Sequence, residues 1–438
     1  MFDYLTVFRS RVAVANVVLP LVGLTATWRE TTLRRLREVL DERVEIVLTD
    51  PSSTPVLEYL VEKQLIGARV RRTGRYSKYV LERSNSSWVA RTARGEAIAR
   101  LPVYRTDVWF SDPRLRSTVG LPTPDNADEA YEFSIDLGIV SKARGARTTE
   151  GQTLAATRET PPIEPNPFVL GLESVALLRQ VVAGDALVLA ELGRQILEIP
   201  SDQFRRDDLI PDGFIAIARR AHETAGRLRV RPEVVAQSRK FARLLEETAT
   251  KKAEKARRSA AEAATVGQRG SNVRGATSEG PGVLEHRLSP RLEWLTDFGV
   301  LSKDGLQKNS FSYRKTPLVG ELVHALDSYL LSDSTADDVA LQIAGADRSW
   351  VVRRARQIVQ SPNEAFVTGY RKIRMSIGPV SIREVCFVAA MMLEPVPRIS
   401  DLYRDLLQWA EREPGIRLSG GRYRREPEMV HFSEKLLQ

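Results

Sequence analysis

The 438 residues, 42% hydrophobic and 28% charged, describe a chain that packs apolar cores and is long enough for about three domains, which excludes the disordered and fibrous classes. Sixty-five Lys and Arg against 56 Asp and Glu leave a net charge of +9, an attraction to polyanions that does not by itself choose among DNA, RNA and an acidic protein. One cysteine, Cys386 in the apolar run EVCFVAAMM, excludes a disulfide framework and a cysteine-rich zinc site, and the four histidines, His222, His286, His324 and His431, lack metal-ligand spacing.

In chain order, VAVANVVLPLVGLTAT at 12–27 is the one targeting candidate, weakened by Pro20 and by the acidic and aromatic residues ahead of it. No stretch approaches the ~18 uninterrupted apolar residues of a membrane span, so a cytoplasmic chain is expected. Residues 28–100 alternate helix (WRETTLRRLREVLDE) with strands (VEIVLT, ARVRRT, KYVLER), which predicts an α/β module over 1–110. Asp50, Ser52 and Ser53, just after a strand, read as a helix cap. The segment resembles the α/β half of phospholipase D-like proteins, some of them nucleases. That family requires His-x-Lys followed by an acid. Tyr76, Ser77 and Lys78 with Glu82 stand here instead, and no histidine precedes His222. The resemblance therefore implies a catalytically inactive module serving dimerisation or docking.

The phrase YEFSIDLGIVSK at 131–142 returns as LEWLTDFGVLSK at 292–303, with identities at Glu132/Glu293, Asp136/Asp297, Gly138/Gly299, Ser141/Ser302 and Lys142/Lys303. Each copy reads as a helix stopped by glycine, then a strand, with a second strand and a new helix to follow (146–159 and 311–331). The pattern resembles the wing of bacterial winged helix-turn-helix proteins, over about thirty residues per copy, and predicts one unit over 111–165 and another over 283–332. Asp128, Glu129 and Glu132 before the first copy would repel phosphates, so the first unit is expected to be structural or protein-binding. The second has His286, Arg287, Ser289 and Arg291 at its helix and Lys303, Lys308, Arg314 and Lys315 around Tyr313 on its hairpin, as a phosphate-facing wing would.

A helical connector over 166–264 and a Gly, Ser and Arg-rich linker over 265–282 separate the two units. Over 333–375, Ser334 or Thr335 caps a helix that Gly345 ends, and a second helix from Asp347 turns Val351, Ala355, Ile358 and Val359 inward and Arg348, Arg353 and Arg356 outward. This resembles a helix-turn-helix, with Ala340 to Gly345 one residue longer than the usual spacing. Over 376–438 comes a further helix, helix, hairpin unit. Gly420-Gly421 reads as its two-residue turn and Arg422, Arg424 and Arg425 surround Tyr423 at its tip, placed for phosphates or a minor groove; a solubilising turn is the plain alternative.

The expected fold is α+β and multidomain: an N-terminal α/β module followed by winged helix-turn-helix units and a helical connector. The expected function is non-enzymatic binding of double-stranded DNA by the C-terminal half, through Arg287, Arg291, Arg314, Lys315, Arg348, Arg353, Arg354, Arg356, Arg422, Arg424 and Arg425. Catalytic residues, metal and cofactor are not expected. Other protein subunits or self-association are, and a membrane is not. The resemblance adds bacterial restriction, phage-defence or regulatory complexes as the setting. The alternatives are a nuclease subunit with catalysis in the α/β part and a scaffold whose winged helices bind only proteins.

Overall fold

The structure, a computed structural model, describes residues 12–25, 28–38, 80–84, 87–91, 97–102, 127–158, 170–209, 217, 219–224, 285–304, 312–374, 379–420 and 427–437. They form an α+β fold of many helices and three small three-stranded antiparallel sheets. Buried residues from Val12 to Leu437 make one connected apolar core. Asp50, Ser52 and Ser53, the Tyr76, Ser77 and Lys78 triplet, and the linker 265–282 lie outside the described residues.

The run at 12–22 is core. It folds as a 3-10 turn (Val12–Val14), helix α1 (Ala15–Val18) and a second 3-10 turn (Leu19–Leu21), and Val12, Val14, Ala15, Val17, Val18, Leu19 and Val22 are all buried. Valine is a poor helix former, so burial rather than propensity holds this segment. Helix α2 (29–38) follows, turning Leu33 and Leu36 inward. Strands β1 (Val80–Ser84), β2 (Ser87–Arg91) and β3 (Ala97–Pro102) then form a meander. Next come α3 (Ala127–Asp136), α4 (Thr149–Thr157) and the long α5 (Ser174–Glu198).

Two contacts reach across the expected domain bounds. The first involves residues 12–25 and 28–38. They pack on α3: α1 contacts it directly, and Arg29 and Arg37 reach Glu132 and Asp128 at 2.7 and 2.9 Å. In the second, β4 (Gln203–Phe204) from the 166–264 stretch pairs with a strand in the sheet of the second copy of the repeated phrase. With α6 (Glu285–Asp297), β5 (Leu301–Asp304) and β6 (Ser312–Lys315), that sheet has the order β4-β6-β5.

The repeated phrase folds twice in the same way. Gly138 and Gly299 take φ of 73° and 70°, left-handed values that a β-carbon disfavours, and so end α3 and α6. Val140 then pairs with Arg147, and Leu301 with Lys315. The hydroxyls of Thr148 and Thr316 donate back to the carbonyls of Gly138 and Gly299 at 2.5 and 2.9 Å, at the start of α4 and of α7 (Leu318–Leu331). A third backbone contact is matched too: the Arg147 amide donates to Gly23 O at 3.0 Å and the Lys315 amide to Asp202 O at 2.9 Å. In the second copy Asp202 precedes strand β4, whereas in the first Gly23 lies outside any strand and Val140 and Arg147 form an isolated bridge; long stretches (39–126 and 225–284) separate the parts of each copy. Those insertions hide the units from a reading by adjacency.

Helix α8 (Ala336–Ala346) starts at a capping box, in which Thr335 accepts from the Asp338 amide at 3.2 Å and Asp338 accepts from the Thr335 amide at 2.8 Å. Gly345 does not stop it; Asp347 closes α8 and caps α9 (Arg348–Arg354) by accepting from the Ser349 amide at 2.9 Å. The inward face of α9 also differs from the expected one: Trp350 and Arg354 are buried, whereas Ala355 is exposed. Of the expected inward residues, Val351 and Val359 pack against the core, while Arg354 turns in because its partners lie inside.

The last unit consists of α10 (Pro362–Ile373), β7 (Val380–Ser381), α11 (Ile382–Ala390), α12 (Ile399–Arg412), β8 (Ile416–Gly420) and β9 (Pro427–Phe432), with α13 (Glu434–Leu437) behind. Its sheet order, β7-β9-β8, matches that of the second unit. Gly420 is a strand residue, paired with Pro427, rather than the first residue of a two-residue turn, and residues 421–426, with Gly421, lie outside the described residues.

Buried ion pairs tie the units together. Asp185 sits where α5 kinks (φ −142°), and the kink aims its carboxylate at Arg291 of α6, whose Nε and Nη2 donate to it at 2.6 and 3.2 Å with both side chains fully buried. Arg179 of α5 donates to Glu384 of α11 at 2.8 Å and approaches Asp337 of α8 at 3.4 Å, with its guanidinium 4.3 Å over the Phe387 ring. Burial opposes the charge on Arg179, but the two carboxylates outweigh it and its pKa is raised. Such pairs add little net stability over apolar packing, but each fixes how two elements meet.

Candidate nucleic-acid interface

A DNA-binding surface needs guanidinium or ammonium groups that face solvent and are not neutralised by carboxylates. Of the eleven expected contacts, two fail this requirement. Arg291 is buried against Asp185 and its guanidinium lies 5.4 Å over Trp294. Arg354 is 2% exposed, donates to Leu393 O at 2.6 Å and to Glu394, and burial lowers its pKa. Both lie among other cations in the sequence, which is the signal behind the expectation; the carboxylate and carbonyl that draw them inward lie far away in the chain.

Two more are engaged with backbone. Lys315 Nζ donates to Ile199 O at the end of α5, just as Arg147 Nε, its counterpart in the first copy, donates to Leu19 O and Val22 O at 3.2 and 3.0 Å. Cations suit these sites because the last carbonyls of a helical segment lack partners. For Arg147 the surroundings also lower the pKa, through burial first and Arg158 second. Arg353 is held by Leu170 O at 3.1 Å and by the Ser349 carbonyl at 3.3 Å. Tyr313 is likewise no surface aromatic: it is 4% exposed, stacks on Phe204 at 5.7 Å and donates to Glu293 at 2.9 Å.

Arg314, Arg348 and Arg356 are exposed. Arg314 lies on β6, while Arg348 and Arg356 open and follow α9. Lys372 at the end of α10 reaches Gln357 at 3.4 Å, which brings a further cation beside Arg356. The side chain of Arg287, and the whole of Arg422, Arg424 and Arg425, lie outside the described residues.

The acidity held against the first unit is offset. Asp128 accepts from Arg37 and faces Arg29 at 3.6 Å, and Glu132 pairs with Arg29 at 2.7 Å. On its hairpin turn, Lys142 and Arg144 are exposed and have no ion pair among the described residues. The signal was present in SKARGAR (141–147), a basic stretch read as structural because of three acids, two of which (Asp128 and Glu132) α2 pairs with arginines.

Among the described residues, no group of three or more His, Cys, Asp or Glu could hold a metal, and no helix is long and apolar enough to cross a membrane. Cys386 is buried within α11, and burial pushes its thiol pKa up. No protein-family model, curated protein or solved structure matches the chain.

Proposed function

We propose that the chain is a non-enzymatic, winged-helix protein that binds double-stranded DNA as part of a larger bacterial defence or regulatory assembly. The order helix, strand, helix, helix, strand, strand, with the first strand beside the last, is that of a winged helix; the second and third units follow it, and the first has in its place the Val140–Arg147 bridge and the Arg147 amide on Gly23 O, which supports this reading. One observation carries the DNA reading: on the turn of the first unit Lys142 and Arg144 are exposed and have no ion pair among the described residues. In sequence, Lys308 lies between the paired strands of the second unit and Arg422, Arg424 and Arg425 between those of the third, outside the described residues. Loops of this kind reach phosphates, and a net charge of +9 favours the encounter.

The test is fluorescence anisotropy of the full chain with a labelled duplex across a salt series. Binding that weakens with a log-log slope of several units supports the proposal, at roughly 0.9 per phosphate contacted. Absence of binding at low salt favours the second reading, a protein-binding scaffold. That reading draws on α12, whose exposed residues Asp401, Asp405 and Glu411 outnumber Arg404 and Arg412.

A further inference from the structure

The helices that lead into the strand pairs of the first two units meet each other: Phe133 of α3 stacks on Trp294 of α6 at 5.5 Å, and no residue from Leu288 to Asp297 is exposed. In the third unit α12 holds this place, with Trp409 three residues before its end as Trp294 is before that of α6. Here, however, the tryptophan turns into its own unit, its ring 6.1 Å from Phe366 and 5.6 Å from Phe432. The helix packs on α10, α11 and β8, and its other side carries Arg404, Asp405, Gln408, Glu411 and Arg412, all exposed.

Helical periodicity sorts these five residues into a face with two edges. Positions seven apart fall on the same side of a helix, so Arg404 and Glu411 share one edge and Asp405 and Arg412 the other, with Gln408 between them. Seven residues span about 10 Å of helix, too far for either couple to pair within one chain. Arg404 touches Asp401 at 3.4 Å, with both side chains more than half exposed, a contact of little strength. Asp405, Glu411 and Arg412 have no ion pair among the described residues.

We propose that this face is a self-association surface, on which a second copy of the chain lays its own α12 antiparallel, about a two-fold axis at Gln408. Reversal about Gln408 brings Arg404 of one copy opposite the partner's Glu411 and Asp405 opposite the partner's Arg412, and symmetry repeats each pair. Two cations against two anions leave the face without net charge. Such a surface complements a reversed copy of itself and gives a polyanion no overall attraction. The proposal goes beyond the DNA-binding reading and does not depend on it. Arg398 and Ser400, exposed at the start of the helix, stand outside these pairs and stay open to a duplex.

The test is sedimentation velocity of the full chain over a concentration series, without DNA. The expected result is a monomer–dimer equilibrium that tightens as salt is lowered. Arg404→Glu and Glu411→Arg each set like charges opposite one another and should weaken the dimer by about tenfold or more, whereas both exchanges in one chain should restore it. Both side chains are exposed, so circular dichroism should show every variant folded. A chain that stays monomeric to about 100 µM at low salt overturns the proposal. So does a dimer that neither single exchange weakens, or one that the double exchange fails to restore. Single exchanges that leave sedimentation unchanged but alter duplex affinity assign the face to DNA instead of a second copy.

Discussion

Phe133 and Trp294 occupy the same position in the two copies of one sequence phrase, and they stack on each other with ring centroids 5.5 Å apart and planes 16° apart. Contact between equivalent positions is the mark of a two-fold interface, in which residue i of one unit meets residue i of the other. At this contact the first two units meet as the halves of a symmetric dimer do, within one chain. Truncating Trp294 to Ala should cost about 3–5 kcal/mol, as for other buried aromatics. A double-mutant cycle with Phe133→Ala, read by urea unfolding, should return a coupling of about 0.5–1.5 kcal/mol. Strictly additive losses would show that the rings do not act as a pair.

Removing Asp185 strands a fully buried guanidinium. Asp185→Ala should destabilise the fold by about 3–5 kcal/mol, while Asp185→Leu combined with Arg291→Met should recover most of that loss. Thermal unfolding followed by circular dichroism decides it. If Arg291→Met alone left stability intact and weakened duplex binding, Arg291 would be a DNA contact after all.

The matched threonines should behave alike. Thr148→Val and Thr316→Val each remove a hydroxyl that donates to a glycine carbonyl and accepts from a helix-start amide (Gly151 and Leu318), and should each cost about 1–2 kcal/mol. Gly138→Ala and Gly299→Ala place a β-carbon at positive φ and should each cost about 1–2 kcal/mol. A large loss in one copy with none in the other, by chemical denaturation, would contradict the equivalence.

Charge reversal at the first hairpin, Lys142→Glu with Arg144→Glu, should leave the unfolding midpoint nearly unchanged because both side chains are exposed. Duplex affinity should fall, and the salt slope should decrease by up to about two units. An unchanged slope would exclude this hairpin from the interface.

Cys386 should report on unfolding. Its buried thiol has a raised pKa, so the folded state holds the proton more tightly than the unfolded chain does. The resulting stability is fully present below the unfolded thiol value of about 8.5 and declines as the pH rises above it. Cys386→Ala should flatten the alkaline part of the stability curve, and thiol reagents should label the native protein only at its unfolding rate. Rapid labelling of the folded chain would refute the burial.

The sequence alone determined what local chemistry determines. The glycine stops of α3 and α6, the antiparallel pairings after them, the Thr335 cap and the β8–β9 pair near residue 420 were all legible, because positive φ, capping and strand alternation involve near neighbours. Tertiary structure decided which arginines remain outside: Arg291 and Arg354 are drawn in by Asp185 and Leu393, partners that no spacing rule links to them. It also decided that 12–22 completes the first unit and 203–204 the second, across insertions of many residues. A buried charge is set by whichever group the fold brings opposite it, and a strand by the edge it meets, so neither is written in its own neighbourhood of the chain.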